Sequence, residues 1–394
     1  MRVRATADTL RVMPTSSRSE AARTRGPRSP WRPALAALVL AALLAPGCSK
    51  SPSAPGAIGA TRTWAMGFSG FPPVPDQAVA IAAIDMWSTR ADVAIQHTGL
   101  PWDSLLAGVP ADTLVRRAEF PLMNYFRNVK GHRIVFEADL TDGLNRAAED
   151  PQLVAAGRSI AEPAVQALAR AWITAVDTIL HPDWLGIGSE TNLVRLAAPP
   201  SLYAALKTLA GSAAESLDAL HARRPSLPRP TIYSTVQVET AWGRLGGGGA
   251  YAGIATDLAD FPYAQVLGLS SYPYLGGFEE PEQIPLDYYS RIASDAARPV
   301  MVIEGGWASQ SYATYTTSPA EQARWLRHHA KLLDAAHAVG WFSLEFADLA
   351  ISLWPPTVNP TIRYFSSLGV ADSALTPKLG LATWDSLFAR PLAP

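Results

Sequence analysis

Apolar residues between positions 61 and 390 fall into two alternating patterns. Short, near-continuous apolar runs predict the strands of a parallel sheet that is covered on both faces. Eight such runs occur, at residues 63–71, 91–102, 132–140, 184–192, 231–239, 263–273, 298–307 and 341–349. Between most of them, apolar residues recur at helical spacing. The predicted helical segments are residues 76–90, 110–131, 161–183, 201–225, 286–296 and 318–340.

This alternation predicts an α/β fold, a single-domain (β/α)8 TIM barrel over residues 61–394. The alternative is an open doubly wound sheet, which often carries a Gly-rich phosphate-binding loop. The four glycines at 246–249 follow a strand but lack the Lys-Ser/Thr pair of a P-loop. We interpret them as a flexible loop, and favour the barrel.

The first 47 residues differ in composition from the rest. They hold eight arginines and two acidic residues, and they end in an apolar run at residues 34–47 that is too short to span a bilayer. Cys48, the one cysteine of the chain, follows directly. This order predicts a lipoprotein-type signal peptide with lipidation at Cys48, followed by a Ser/Pro/Gly tether at 48–60. The alternative is an ordinary signal peptide with an incidental cysteine.

The predicted signal implies export and a lipid anchor on a bacterial membrane, facing the periplasm or the cell surface. Removing its eight basic and two acidic residues from the 33 and 34 of the chain leaves 25 and 32, a net charge near −7. This charge argues against nucleic acid as a partner. Twelve Trp and twelve Tyr either fill a large core or stack on sugar rings, and composition does not separate the two.

Candidate chemistry lies at the strand ends, because active sites of such barrels lie at the carboxyl ends of the strands. Polar residues stand at these predicted ends: His97, Glu137, Asp139, Ser189, Glu190, Asn192, Gln237, Glu239, Ser270, Ser271, Tyr272, Glu304, Glu345 and Asp348. Glu190 ends strand four and Glu304 ends strand seven, on opposite sides of the barrel. We therefore expect their carboxyl groups to face each other, as the two carboxyl groups of a glycosidase do.

The stretches WLGIGSETN, VLGLSSYPYLGG and RPVMVIEGGW resemble strands four, six and seven of the clan A retaining (β/α)8 glycoside hydrolases, most of all the endo-β-1,4-galactanase (arabinogalactanase) family. The resemblance implies that Glu190 is the general acid/base, that Glu304 is the nucleophile and that Tyr272 hydrogen-bonds to Glu304. Two features depart from the clan pattern. Ser189 stands where the clan has Asn, for which Asn192 is a possible substitute, and strand two has no Arg.

We expect further residues near the strand ends to bind substrate: Asn192, Trp102, Glu137, Asp139, Glu239, Trp242, Trp307 and Glu345. Trp354 is another possible sugar platform. No His-Glu-x-x-His motif occurs, and we expect no catalytic metal and no cofactor. The expected protein is a monomeric hydrolase of a β-linked polysaccharide, with β-1,4-galactan favoured over mannan or glucan. The alternative is a catalytically silent barrel that binds glycan at the cell surface.

Overall fold

The computed structural model describes residues 61–245, 249–356 and 359–393. Eight strands form a closed barrel in chain order, and all neighbouring strands, including the first and the last, pair in parallel. The predicted (β/α)8 barrel is therefore confirmed. The predicted signal at 1–47, Cys48, the tether at 48–60 and most of the glycine loop lie outside the described residues.

The strands are short. Seven begin and end within their predicted runs, and the eighth begins one residue before its run. They are β1 (Ala65–Ser69), β2 (Val93–Gly99), β3 (Arg133–Asp139), β4 (Trp184–Ile187), β5 (Thr231–Gln237), β6 (Val266–Ser271), β7 (Val300–Gly305) and β8 (Gly340–Ser343). The α-helices among the described residues are Gln77–Trp87, Trp102–Leu106, Ala111–Ala118, Phe120–Asn124, Pro151–Ala155, Pro163–Leu180, Thr191–Ala197, Pro200–Arg223, Val238–Ala241, Ala255–Asp260, Ser290–Ala296, Pro319–Ala335 and Leu379–Phe388. Among these helices, none is long and apolar enough to cross a membrane.

The core has two layers because side chains alternate along each strand. One cluster takes alternate residues from seven strands and fills the barrel interior: Ala65, Val93, Ile95, Val135, Tyr233, Val266, Met301, Ile303 and Phe342. The intervening strand residues pack outward against the helices in a second, larger cluster. Inward positions near the strand ends continue the first series, so the polar residues there project into the mouth above the apolar interior.

The predicted helical segment at 318–340 is shorter in the structure. Ser318 accepts a hydrogen bond from the backbone of Glu321, whose side chain accepts one from the backbone of Ser318, which forms a capping box. The helix does not reach residue 340, where the predicted segment ends. It ends at Ala335, and Gly340 instead begins β8.

A β-bulge shapes the end of β7. Leu269 pairs with Val302, but Ser270 pairs with Glu304, so Ile303 is an extra residue in the ladder. Ile303 belongs to the barrel interior, and the bulge brings the next residue, Glu304, beside Ser270 as well. In a regular strand these neighbours would point to opposite faces of the sheet. The local irregularity thus aims Glu304 into the barrel mouth.

Candidate active site

A cavity of about 270 Å³ opens at the carboxyl ends of the strands. Its lining includes both predicted catalytic carboxyl groups, those of Glu190 and Glu304. The rest of the wall includes residues of β2 and β3, of the loops that follow β3 and β8, and of the ends of β1, β5 and β6. The main polar members besides the two glutamates are Gln96, His97, Asp139, Asp142, Arg146, Gln237 and Glu345.

Glu190 follows β4 at a sharp turn. Its backbone is left-handed, with φ 44° and ψ 47°, which is uncommon for a residue other than glycine. It precedes the helix Thr191–Ala197 but does not cap it with its side chain. Instead, Arg146 Nε donates to Glu190 Oε2 at 2.8 Å, and Oε1 lies 2.7 Å from Ser270 Oγ. The carboxyl group is therefore directed into the mouth, not used to terminate the helix.

Glu304, at the end of β7, is held by two different neighbours. Its Oε1 lies 2.8 Å from Ser270 Oγ, and its Oε2 lies 3.3 Å from His97 Nδ1. Since Ser270 Oγ is 2.7 Å from Glu190 Oε1 and 2.8 Å from Glu304 Oε1, these two oxygens are at most 5.5 Å apart. The two carboxyl groups face each other, as their places at opposite strand ends predict.

Arg146 and Asp139 close the network on the far side. Arg146 reaches both oxygens of Asp139, at 2.7 and 2.8 Å, in addition to its contact with Glu190. Asp139 Oδ2 also lies 3.2 Å from His97 Nε2. A continuous set of polar contacts therefore runs from Glu304 through His97, Asp139 and Arg146 to Glu190, and back through Ser270.

The surroundings of the two glutamates drive their pKa values apart. Burial raises the pKa of Glu190, and the charge of Glu304 adds to this, whereas Arg146 opposes it. Burial would also raise the pKa of Glu304. The hydrogen bond and charge of His97, with help from Arg146, outweigh burial and leave the pKa of Glu304 below its usual value. One carboxyl group thus favours its protonated form and the other its ionised form.

His97 is the cation beside Glu304. Burial would lower its pKa, but the charge of Glu137 and contacts with Asp139 and Glu304 raise the pKa of His97 well above its usual value. Burial likewise opposes ionisation of Asp139, yet Arg146 and His97 hold the pKa of Asp139 below its ordinary value. Strand two lacks the Arg of the clan pattern, and here His97 supplies a positive charge at that strand.

Tyr272 lines the cavity but does not make the contact predicted for it. Among the described residues, the hydrogen bonds to the Glu304 side chain come from Ser270 and His97. The backbone N–H of Tyr272 instead donates to Glu239 at 3.0 Å, and its ring packs on Phe365 with centroids 4.8 Å apart. Burial and the nearby charge of Glu304 raise the pKa of Tyr272 well above its usual value. The predicted orientation of Glu304 by the Tyr272 hydroxyl is wrong for this structure.

The tryptophans expected to bind sugar are structural. Trp102 is fully buried and Trp307 is 1% exposed, with its indole N–H donating to Thr317. Trp242 is half-buried and stacks on Tyr288 away from the cavity. Trp354 stacks on Phe71 and donates to the backbone of Pro73. Within the described chain, no tryptophan is among the residues that line the cavity.

Asn192 does not replace the missing asparagine. Its amide is buried and exchanges hydrogen bonds with the backbone of Gln237, both at 2.8 Å, which ties the Glu190 turn to β5. Ser189 is also occupied, because its hydroxyl donates to Glu137 at 2.6 Å. The positions at which the sequence suggested a sugar-binding amide are therefore used inside the protein.

Glu137 and Glu239 are structural as well. Glu137 accepts hydrogen bonds from Ser189 and from Tyr233, and it is not part of the cavity lining. Glu239 accepts hydrogen bonds from Ser271 and from Tyr288, and it is not part of the cavity lining either. Both carboxyl groups are buried, and burial raises the pKa of each.

Asp139 and Glu345 are the predicted substrate-binding residues that do line the cavity. Glu345 is 1% exposed, and burial together with Asp348 raises the pKa of Glu345 well above its usual value. The glycines after Glu304 serve the backbone. A Cβ on Gly305 would lie 2.2 Å from the carbonyl oxygen of Ser271, and φ is 138°, so glycine is needed here for the close approach of β7 to β6.

The sequence analysis missed Arg146, Phe71 and Phe365. Arg146 follows β3 in an irregular loop with no helical or strand periodicity to place it. Phe71 and Phe365 are the phenyl rings of the lining. The only sequence signal for Arg146 is indirect. Strand two lacks the Arg of the clan pattern, so another residue has to supply a positive charge at the site.

Comparisons with known proteins bear on the fold. No family model and no curated protein sequence matches the chain. Among solved structures, a β-glucuronidase from an uncultured Clostridium species matches 85% of this chain and 53% of its own length, with 12% identity and a TM-score of 0.52. An exo-β-1,4-mannosidase from Opitutaceae bacterium strain TAV5 matches 84% and 60%, with 16% identity and a TM-score of 0.53. The chain therefore spans just over half the length of these proteins, and at such low identity the likeness is one of fold, the (β/α)8 barrel.

Proposed function

We propose that this protein is a glycoside hydrolase that cleaves a β-linked polysaccharide with retention of configuration. The observation that carries the proposal is the placement of Glu190 and Glu304, whose facing oxygens are at most 5.5 Å apart at the barrel mouth. Retaining enzymes hold their carboxyl groups about 5–5.5 Å apart, whereas inverting enzymes need about 6.5–9.5 Å for a water molecule.

In the first step, ionised Glu304 attacks the anomeric carbon and forms a glycosyl ester. Glu190 gives its proton to the departing glycosidic oxygen as that bond breaks. The opposite pKa shifts of the two groups support these roles. His97 and Arg146 hold Glu304 ionised while it waits for substrate.

In the second step, Glu190 is a carboxylate and takes a proton from a water molecule. That water attacks the anomeric carbon, and the ester bond to Glu304 breaks. Both glutamates return to their starting charges, and the sugar leaves with its original anomeric configuration.

The favoured substrate is β-1,4-galactan, on the strength of the strand-six and strand-seven motifs. Mannan and glucan are the nearest alternatives within the same clan. Phe71 and Phe365 in the lining offer apolar faces against which a sugar ring can pack. The solved barrels named above are a β-glucuronidase and an exo-β-1,4-mannosidase, which agrees with β-linked substrates in general.

The test compares wild type, Glu190→Gln, Glu304→Gln and, as a matched surface control, Glu282→Gln, whose side chain is 56% exposed. Each protein is incubated with β-1,4-galactan, mannan, xylan and glucan, and new reducing ends are measured. We expect wild type and Glu282→Gln to cleave one polymer and both active-site variants to lose roughly a thousandfold in rate. The first product is expected to show retention of configuration by NMR.

Inversion in that NMR experiment, or full activity of Glu304→Gln, would refute the mechanism. Binding of one polymer without cleavage by any variant would favour the second candidate, a catalytically silent glycan-binding barrel. The engagement of Ser189 with Glu137 is the observation that favours this candidate, because a polar group at that position is no longer available to the sugar.

We also propose that the chain is exported and anchored through lipid on Cys48. The basic and apolar composition of residues 1–47 supports this proposal. Expression of wild type and Cys48→Ala in a bacterium, followed by detergent phase partitioning, tests it. Wild type is expected in the detergent phase and the variant in the aqueous phase, and equal partitioning of the two would refute lipidation.

A further inference from the structure

Ser270 joins the two candidate catalytic carboxyl groups directly. It lies near the end of β6, and its side chain is fully buried. Its Oγ is 2.7 Å from Glu190 Oε1 and 2.8 Å from Glu304 Oε1, and both distances are those of good hydrogen bonds.

A serine hydroxyl has one hydrogen, so Ser270 can donate to only one of these two oxygens. An ionised carboxylate has no hydrogen to give. If both glutamates were ionised, one of the two short contacts would place two oxygen atoms against each other with no hydrogen between them. The geometry therefore requires a second hydrogen, and a proton on one of the carboxyl groups provides it.

The charged neighbours decide which carboxyl group carries that proton. Glu304 has His97 against its Oε2 and Arg146 nearby, and both favour its ionised form. Among the described residues, Glu190 has only Arg146 as a cationic partner, and it faces the charge of Glu304. Other titratable groups surround the pair on β3, on β5 and after β6: Glu137, Asp139, Tyr233 and Tyr272.

We propose that Ser270 is a positioning residue that links the protonation of Glu190 to the ionisation of Glu304. In the free protein, protonated Glu190 donates to Ser270 Oγ, and the Ser270 hydroxyl donates to ionised Glu304. This inference deepens the proposed function and rests on it for the roles of the two glutamates.

The hydrogen on Ser270 stays on Ser270 throughout the cycle. When Glu304 forms its ester and Glu190 gives its proton to the leaving oxygen, Glu190 becomes the stronger acceptor. The hydroxyl then turns to donate to Glu190. When water delivers a proton to Glu190 and the ester breaks, the hydroxyl turns back to Glu304. No proton is gained or lost beyond those of hydrolysis.

The experiment is an infrared titration of the Glu190 carboxyl group, which needs no substrate. The band of protonated Glu190 is obtained as the difference between wild type and Glu190→Gln. In Ser270→Ala, protonated Glu190 loses its hydrogen-bond acceptor. The midpoint pH at which its band disappears is therefore expected to be about one unit lower. The reference protein for this measurement carries both Ser270→Ala and Glu190→Gln. A midpoint that stays in place or moves upward would overturn the proposal, because an upward shift means that Ser270 donates to Glu190.

Two variants guard against trivial results. Ser270→Thr keeps a hydroxyl and is expected to keep the wild-type midpoint. If Ser270→Ala does not fold, a Ser270→Thr midpoint about one pH unit from that of wild type overturns the proposal. Ser271→Ala removes the neighbouring buried hydroxyl, which donates to Glu239 instead of to the pair, and is expected to leave the midpoint unchanged. A shift in Ser271→Ala equal to that in Ser270→Ala would show a general effect of the strand and refute a specific role for Ser270.

Activity separates this inference from the proposed function. For Ser270→Ala acting on β-1,4-galactan, or on the panel polymer that wild type cleaves, the pH profile of kcat/KM is expected to narrow. The acid limb moves to higher pH and the alkaline limb to lower pH, each by about one unit. A profile equal to wild type, with Glu304→Gln inactive, would refute the role of Ser270 and leave the proposed function in place. Full activity of Glu304→Gln would refute the proposed function, whatever the infrared result.

Discussion

Glu119 is a buried carboxyl group in the turn between the helices Ala111–Ala118 and Phe120–Asn124, and its replacement by glutamine probes how the protein's stability depends on pH. It is 9% exposed, and Gln96 Nε2 donates to it at 3.2 Å. Burial raises the pKa of Glu119 from 4.5 to about 7, against the weaker opposing effect of Gln96. Glutamine has nearly the same shape and keeps an oxygen that can accept from Gln96.

The sign follows from proton linkage. Because the pKa of Glu119 is higher in the folded protein than in the unfolded chain, its contribution to stability is fully present below about pH 4.5 and is lost as pH rises through 7. A shift from 4.5 to about 7 corresponds to about 3 kcal/mol in the free energy of unfolding. Glu119→Gln lacks this titration. The difference in the free energy of unfolding between Glu119→Gln and wild type is therefore expected to increase by about 3 kcal/mol, in favour of the variant, from pH 4 to pH 8.

The assay is urea unfolding of wild type, Glu119→Gln and the exposed control Glu282→Gln at pH 4, 6 and 8. Comparison of the variants cancels the titration of the other buried carboxyl groups. Glu282→Gln is expected to follow wild type at every pH. If the difference between Glu119→Gln and wild type is the same at pH 4 and pH 8, the pKa of Glu119 is the same in the folded and the unfolded protein, and the reasoning fails.

Three further predictions concern the site and its support. His97→Asn removes the cation beside Glu304 and is expected to move the acid limb of the kcat/KM profile to higher pH by about one unit, because the pKa of Glu304 rises. An acid limb at the wild-type pH would show that His97 does not hold Glu304 ionised. Trp102→Ala leaves a cavity in a fully buried position and is expected to cost about 3–5 kcal/mol by urea unfolding; a cost below about 1 kcal/mol would contradict its role in the core. Gly305→Ala brings a Cβ within 2.2 Å of a carbonyl oxygen. It is expected to lower the melting temperature, measured by circular dichroism, by about 4 °C or more. An unchanged melting temperature would show that β6 and β7 can move apart at no cost in stability.

The fold can be predicted from this sequence because its strands are buried on both faces. Each strand appears as a short apolar run, and helical periodicity fills most of the intervals. The facing of Glu190 and Glu304 is predictable for the same reason, since the carboxyl ends of parallel strands meet at one mouth. Their positions require only strand order and strand ends.

The partners of these glutamates could not be predicted in the same way. The bulge at Ile303, which sets Glu304 beside Ser270, is a matter of hydrogen-bond register and has no apolar signature. Arg146 lies in an irregular loop, where side-chain positions depend on tertiary contacts. The indole rings of Trp102 and Trp307 have the same composition signal whether they face a sugar or the core, and packing assigned them to the core.

The extra residue in β7 has a consequence for the medium in which Glu304 works. In a regular strand, successive inward side chains begin about 6.6 Å apart along the chain, whereas Ile303 and Glu304 are neighbours and begin about 3.3 Å apart. The boundary between the apolar interior and the polar mouth therefore lies between two adjacent residues, Ile303 and Glu304. On the hydrocarbon side of such a boundary little solvent screens charge, so the attraction of His97 and Arg146 for the Glu304 carboxylate reaches further than it would in water.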